Sequence, residues 1–367
     1  MSRRHTLLVL LCAAAAAVPV ASAAAALPVA SAAAAVPVAS AAAAVPVASA
    51  AAATQIAVEP YASKLAAFRG VLAWSHWNAT LGAYQLMARY RGTNHVLPVA
   101  PRAVPFDVSL GPDAKGHTVA VYSRCSVEQS AWTLGASLAR FTAPRGCVLY
   151  RYDFATAREA RIPGIAGSGS FYLPAIWMNE IAYVRTGASG APRLFVQQLK
   201  ASRHHPGRAV ALPGGPASAT GGPGPVSLSL RAGVLAFAWH DVARTRYGTM
   251  FESTVYEDTA SQAGAVTQTA YDAESAPAGA PGFLDFTTIT SRGLFYGRSD
   301  GAPISTPDDA FELLAPGAEA AQMLSAPHAL FGAASDGNTT YALYGAYTGS
   351  SLCAPGGCVL EAMGGAG

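Results

Sequence analysis

Val119-Ala120-Val121-Tyr122-Ser123 is the stretch that decides the fold, because five other segments repeat its run of aliphatic residues, its aromatic residue and its polar end. The six segments start 47 to 62 residues apart and cover residues 71–75, 119–123, 181–185, 234–238, 294–298 and 341–345. This spacing suits a four-stranded unit with loops of variable length. The sequence therefore predicts an all-β fold, a β-propeller of six four-stranded blades.

Further strands are predicted around each segment. A second alternating run follows most segments, as at residues 84–90, and turn residues at 91–94 lead to a third run at 96–99. A weaker run precedes several segments, as at 171–176. Residues 55–58 are expected to complete the last blade and close the ring, which removes exposed sheet edges. Another blade number, or a pair of β-sandwiches, is the alternative.

One unit carries a family resemblance. Leu110-Gly111-Pro112-Asp113, followed by Gly116 and then Val119-Ala120-Val121-Tyr122, resembles the Ser-Pro-Asp-Gly and Ile-Ala-Tyr pattern of TolB-like and WD40-like propeller repeats of bacterial envelope proteins. Gly111 replaces the family's serine, and Ala114-Lys115 intervene before Gly116. The resemblance implies a propeller that serves as a binding platform, a periplasmic sensor or, less often, an enzyme. It assigns no functional residue.

Residues 1–53 have the organisation of a secretory leader. Arg3, Arg4 and His5 precede an apolar run, and a nonapeptide of the type Val-Pro-Val-Ala-Ser-Ala-Ala-Ala-Ala then starts at positions 18, 27, 36 and 45. Each copy offers a small-x-small triplet for a signal peptidase, while its proline prevents a continuous helix. We therefore expect residues 54–367 to form one exported propeller domain in a secreted or cell-surface bacterial protein.

The leader leaves alternatives open. An uncleaved leader would act as a membrane anchor, since the run between His5 and Glu59 has no charged residue. Ser2-Arg3-Arg4 also resembles the start of a twin-arginine export motif, so the general and the twin-arginine routes both remain open. Several triplets are available for cleavage.

Charge argues against several partners. The leader holds two of the 24 basic residues and none of the 21 acidic residues, so the domain after it is close to neutral. No basic run with interleaved aromatic residues occurs, and no apolar stretch after Thr54 is long enough to span a bilayer. We expect no nucleic acid partner, no membrane span after the leader and a monomeric protein.

Four cysteines remain after the leader, and internal similarity selects one of three possible pairings. Gly146-Cys147-Val148-Leu149 and Gly357-Cys358-Val359-Leu360 are identical, and each has a cysteine upstream. We therefore expect disulfides between Cys125 and Cys147 and between Cys353 and Cys358, which an exported chain can form. The first would hold the ends of a 21-residue loop that contains Trp132.

No catalytic constellation is recognisable. The chain lacks a Gly-x-Ser-x-Gly elbow and a His-Glu-x-x-His zinc motif, and Asp308-Asp309 and Asp336-Gly337-Asn338 do not provide the ligand spacing of a calcium loop. We expect no metal and no cofactor. The acidic residues Asp107, Glu252 and Asp285 lie on or near predicted strands, but the sequence does not identify a catalytic pair among them, and we expect most of them to be solvated or hydrogen-bonded to turns.

A possible binding face consists of polar or aromatic residues that lie just after the second strand of a blade or in the bridged loop. They are His76, Arg124, Trp132, Arg185, His240, Asp241, Arg298 and Asp300. Such residues share one face of a propeller, although strand ends are polar in most proteins. The leading hypothesis is a secreted or surface binding module for a protein or glycan. The alternative is an extracellular glycan hydrolase or lyase.

Overall fold

The computed structural model describes residues 53–126, 144–165, 169–187, 191–199, 207–211, 224–245, 248–259, 266–275, 283–299, 310–325, 330–345, 353 and 356–364. These residues form strands, turns and loops and contain no helix. The strands, in chain order, are β1 (Thr54–Glu59), β2 (Ala66–Phe68), β3 (Val71–Asn78), β4 (Ala83–Tyr90), β5 (Thr93–Val96), β6 (Ser109–Pro112), β7 (Thr118–Arg124), β8 (Val148–Asp153), β9 (Arg158–Arg161), β10 (Ser170–Trp177), β11 (Glu180–Thr186), β12 (Pro192–Gln198), β13 (Arg208–Ala209), β14 (Gly224–Arg231), β15 (Val234–Thr245), β16 (Gly248–Thr259), β17 (Val266–Ser275), β18 (Phe283–Ile289), β19 (Leu294–Ser299), β20 (Ala310–Leu314), β21 (Gln322–Ser325), β22 (Leu330–Ser335), β23 (Thr340–Tyr344) and β24 (Cys358–Met363).

The strands form six antiparallel four-stranded sheets, which confirms the predicted six-bladed propeller. Blades 1 to 5 are β2–β5, β6–β9, β10–β13, β14–β17 and β18–β21, each in sequence order from the inside outward. Blade 6 consists of β22, β23, β24 and then β1, so the first strand of the chain forms the outer edge of the last blade. The innermost strands contact one another around the ring, and β22 contacts β2.

The second strand of each blade gave the clearest sequence signal because both of its faces are covered. β7 is buried from Val119 to Ser123, since the blade packs between two neighbours. Strands buried on both faces read as continuous apolar runs, as in buried parallel sheets. The third strand of blade 1 alternates instead, since every second residue of β4 from Tyr84 to Ala88 is buried.

The outer strand of blade 1 lies earlier than predicted. Arg91 and Gly92 both have positive φ (53° and 81°), so they form a two-residue hairpin turn. The chain therefore re-enters the sheet at Thr93, and β5 ends at Val96 where the third run was expected to start. The predicted turn residues Thr93 and Asn94 belong to the strand.

Both predicted disulfides are confirmed. Cys125 and Cys147 join the end of β7 to the start of β8, and Cys353 is bonded to Cys358 at the start of β24. Most of the loop enclosed by the first bridge, Trp132 included, lies outside the described residues. Disulfides persist in oxidising compartments, so this pattern fits an extracellular or periplasmic protein. The described part of the chain holds no helix with the length and apolar character that a bilayer crossing requires.

Candidate functional site

Three of the predicted binding-face residues form contacts with a carboxylate of the same sheet or of the adjoining blade. His76 Nδ1 lies 2.9 Å from Glu59, Arg124 forms an ion pair with Glu159, and Arg298 Nε donates to Glu312 at 2.7 Å. These basic residues all lie near the end of the second strand of their blade, as expected. Two further predicted residues, Trp132 and Asp300, are outside the described residues.

Each of these basic residues stands two positions after an aromatic residue that bonds the same carboxylate. Trp74 donates to Glu59 at 2.7 Å, and Tyr122 and Tyr296 donate to Glu159 and Glu312, both at 2.6 Å. Residues i and i+2 of a strand face the same side, so the spacing produces the cluster. We call the three sets the Glu59, Glu159 and Glu312 clusters. They explain why polar residues recur after the second strands.

The Glu59 cluster connects β1, the strand that closes the ring, to the neighbouring blade 1. Glu59 lies in β1 of blade 6, whereas Trp74 and His76 lie in β3 of blade 1. Glu59 is only 1% exposed. Burial raises the pKa of Glu59, while the hydrogen bond from Trp74 and the charge of His76 lower it by less.

The remaining described residues of the predicted face have separate environments. The guanidinium of Arg185 lies over the ring of Phe171, at 5.7 Å from its centroid. His240 is buried, and its Nε2 lies 3.0 Å from the carbonyl oxygen of Leu284. Burial lowers the pKa of His240, against the raising influence of Asp285. Asp241 is partly buried in β15.

A groove of about 820 Å³ lies between blades 4 and 5 and contains one predicted residue, Arg298. We call it the blade 4–5 groove. One wall is formed by residues 267–271 of β17, and the other by β20 and the turn 315–321. Its floor is apolar, with Val234, Ile289 and Leu294.

The polar groups of the groove come from both walls. On the blade 4 side, Thr269 donates a hydrogen bond to Glu257 at 3.4 Å, and Tyr271 is 48% exposed. Burial raises the pKa of Glu257, and the hydrogen bond from Thr269 lowers it by less. On the blade 5 side lies the Glu312 cluster. The groove thus combines an apolar floor with carboxyl, guanidinium, hydroxyl and phenol groups, as is typical of small-molecule sites.

A second polar set surrounds Asp107, which lies just before β6. Asp107 accepts hydrogen bonds from Arg102, from the backbone and hydroxyl of Ser123, and from the backbone of Leu173. Burial lowers the pKa of Lys64, although the charges of Asp107 and Asp285 act to raise it. Both oxygens of Asp107 are engaged by protein donors. Asp107 and Arg102 are also buried, so this set is a charge-balanced part of the interior.

Sequence reasoning found Arg298 but not the rest of the groove. Glu257, Thr269, Tyr271 and Glu312 lie on three strands and have no common motif or spacing. Their proximity depends on how two blades pack. The one available signal was the aromatic and basic pair Tyr296 and Arg298, which recurs in the other two clusters.

The chain is similar in fold to several solved structures, although its sequence identity to them is low. No family model matches the chain, and no curated protein matches it. TolB from Acinetobacter baumannii is 13% identical with a TM-score of 0.46, over 82% of this chain and 64% of that structure. This chain thus spans less than two thirds of that TolB.

Two other propellers are similar to the chain. Aleuria aurantia lectin, a six-bladed fungal lectin, is 11% identical with a TM-score of 0.42, over 78% of this chain and 90% of its own. The propeller domain of the Trilobed protease from Pyrococcus furiosus is 7% identical with a TM-score of 0.39, over 84% of this chain and 94% of its own. The TolB-like resemblance in the sequence is consistent with these folds.

Proposed function

We propose that this chain is an exported six-bladed propeller that acts as a binding module, with the blade 4–5 groove as its ligand site. The observation that carries the proposal is the groove itself, where Glu257, Tyr271 and the Glu312 cluster surround one apolar floor. Export accords with the leader pattern of residues 1–53 and with the two disulfides. In small-molecule sites, a limited number of polar groups above an apolar surface fixes the orientation of the ligand.

The chemistry of the groove favours a glycan over a protein surface. Carboxylates and a guanidinium pair with hydroxyl groups, and an exposed tyrosine ring offers an apolar face for the C–H side of a sugar. A cavity of about 820 Å³ holds a short oligosaccharide. A stable protein partner would instead need a surface of roughly 800 Å² on each side.

The binding test uses an oligosaccharide array followed by calorimetry with the best ligand. Arg298→Gln and Tyr271→Ala are each expected to weaken binding about tenfold or more, the size of a lost charged hydrogen bond or stacked ring. Arg124→Gln is the matched control, because it removes the same interaction from the Glu159 cluster outside the groove. Binding that both groove variants leave unchanged would place the ligand elsewhere, and absence of glycan binding would favour a protein partner.

The export proposal has its own test. Mass spectrometry of the protein from culture medium is expected to show a new N-terminus at one of the small-x-small triplets between residues 21 and 53. An N-terminus at Met1 would mean that the leader is retained and acts as an anchor.

A glycan hydrolase or lyase remains the second candidate, because two carboxyl groups, Glu257 and Glu312, line the same groove. A raised pKa such as that of Glu257 is what a general acid needs. Chromogenic glycosides test this candidate. Glu257→Gln should abolish turnover while the oligosaccharide still binds. An absence of turnover in the native protein would exclude the enzyme and leave the binding module as the proposed function.

A further inference from the structure

Three side chains converge at two neighbouring turns of blade 2, far along the ring from the groove. Asp113 and His117 lie in the turn between β6 and β7, and Asp153 is the last residue of β8. His117 Nδ1 lies 4.0 Å from Asp113 Oδ2 and 4.0 Å from Asp153 Oδ2. All three atoms are within 4.8 Å of one another.

The backbone of each turn holds one oxygen of each carboxylate and leaves the other directed at the histidine. Asp113 Oδ1 accepts hydrogen bonds from the backbone of Lys115 and His117, at 2.8 and 2.9 Å. Asp153 Oδ1 accepts one from the backbone of Ala155, at 2.8 Å. Such supporting bonds fix the orientation of carboxylates that ligate metals.

The ring nitrogen of His117 provides an independent observation. Nδ1 is buried from solvent and has no hydrogen-bond partner among the described residues, since both carboxylate oxygens are too distant. A buried polar atom without a partner is costly. One atom placed between the three groups would satisfy all of them.

We propose that Asp113, His117 and Asp153 bind a divalent metal ion, with Zn²⁺ as the expected ion. An imidazole with two carboxylates suits Zn²⁺ and Mn²⁺, and Zn²⁺ binds such sites more tightly. Tetrahedral ligands at about 2.0 to 2.1 Å from zinc lie about 3.3 Å apart, so each 4.0 Å separation has to close by less than 1 Å. The side chain of His117 is 41% exposed, so the three residues lie near the surface of the protein.

The bound ion would join the turn between β6 and β7 of blade 2 to the turn that follows β8 of the same blade. Met178 of blade 3 donates its backbone N–H to Pro112 at 2.7 Å, next to Asp113. The site therefore lies where blades 2 and 3 meet, and a bound metal would stabilise that junction.

Isothermal calorimetry of the full, disulfide-bonded chain after dialysis against a chelator tests the proposal with ZnCl₂ as the probe. We expect one high-affinity site, with His117→Gln and Asp153→Asn each weakening it about tenfold or more. His95→Gln and a His204→Gln/His205→Gln double variant should retain the site, because they remove histidines that are not part of it. Equal affinity in His117→Gln and the native protein would overturn the proposal.

X-ray absorption at the zinc edge provides a second readout that does not depend on variants. It should show one nitrogen and two or more oxygen neighbours at about 2.0 Å. No zinc binding by the native protein at 100-fold excess would mean that His117 forms a loose ion pair with the two carboxylates, and the metal site would be rejected.

Discussion

Blades 2 and 5 carry the same cluster of a tyrosine, an arginine and a glutamate, but the space beside the two clusters differs. Beside the Glu159 cluster, Phe154 packs edge-on against Tyr90 of blade 1 and against Tyr152, at centroid distances of 5.8 and 5.3 Å. Beside the Glu312 cluster, the matching turn after the third strand is Ala315-Pro316-Gly317-Ala318, and the groove lies open. The same polar cluster therefore closes one blade junction and lines a cavity at another.

The two blades differ in the first residue of the turn after the third strand, which is Phe154 in blade 2 and Ala315 in blade 5. Phe154 packs against Tyr90 at the junction between blades 1 and 2, whereas Ala315, Pro316 and Gly317 line the blade 4–5 groove. The open groove beside the Glu312 cluster is the ligand site proposed above.

The largest expected effect on stability comes from replacing the glutamate of each cluster. Glu312→Ala should lower the free energy of unfolding by about 3 kcal/mol, because Tyr296 and Arg298 lose their acceptor in a mostly buried position. Glu159→Ala should cost only about 1 kcal/mol, since its side chain is 23% exposed against 9% for Glu312. Urea denaturation measures both, and equal losses would show that the two clusters are energetically alike.

A smaller effect is expected when the filled junction is emptied. Phe154→Ala should lower the free energy of unfolding by about 2 kcal/mol, less than a fully buried phenylalanine, because the ring is only partly buried. Phe154→Leu serves as the control that keeps most of the volume. If Phe154→Ala is as stable as the native protein, the aromatic packing between blades 1 and 2 does not hold that junction.

Filling the open junction should change binding and leave stability almost unaltered. Ala315 is exposed in the groove wall, so Ala315→Trp is expected to change the free energy of unfolding by less than about 0.5 kcal/mol. The same variant should weaken binding of the array-selected oligosaccharide more than tenfold by occupying its space. Arg158→Trp, in exposed β9, is the control for a surface tryptophan outside the groove. Unaltered binding in Ala315→Trp would separate the ligand site from the groove.

The smallest effect concerns pH. Because burial raises the pKa of Glu257 above its ordinary value of 4.5, the folded protein holds this proton more tightly than the unfolded chain. The contribution to stability is present below pH 4.5 and is lost as the pH rises through the folded pKa. Glu257→Gln should therefore become more stable relative to the native protein over that range, measured by urea titrations at several pH values. Glu319→Gln, at an exposed position, should show no such trend.

The strands were predictable to different degrees for physical reasons. β7 and β15 were recognised because residues covered on both faces must be apolar. The start of β5 was misplaced, because a positive φ at Arg91 cannot be read from a residue type that rarely adopts it. The second strand of blade 4 was recognised only over its first five residues, because β15 and β16 continue to Thr245 and Thr259 as a long hairpin.

The sequence alone determined the all-β class and predicted six blades, the closure by β1 and both disulfides, because each depends on local chemistry: buried apolar runs, an unpaired strand and two matching Gly-Cys-Val-Leu segments. The structure decided the blade number. Only the tertiary structure decided which carboxylate each basic residue meets. Glu59, Glu159 and Glu312 stand on different strands relative to their partners. Tertiary packing also decided which blade junction stays open and brought Asp153 to His117, since both depend on how strands pair and pack across distant parts of the chain.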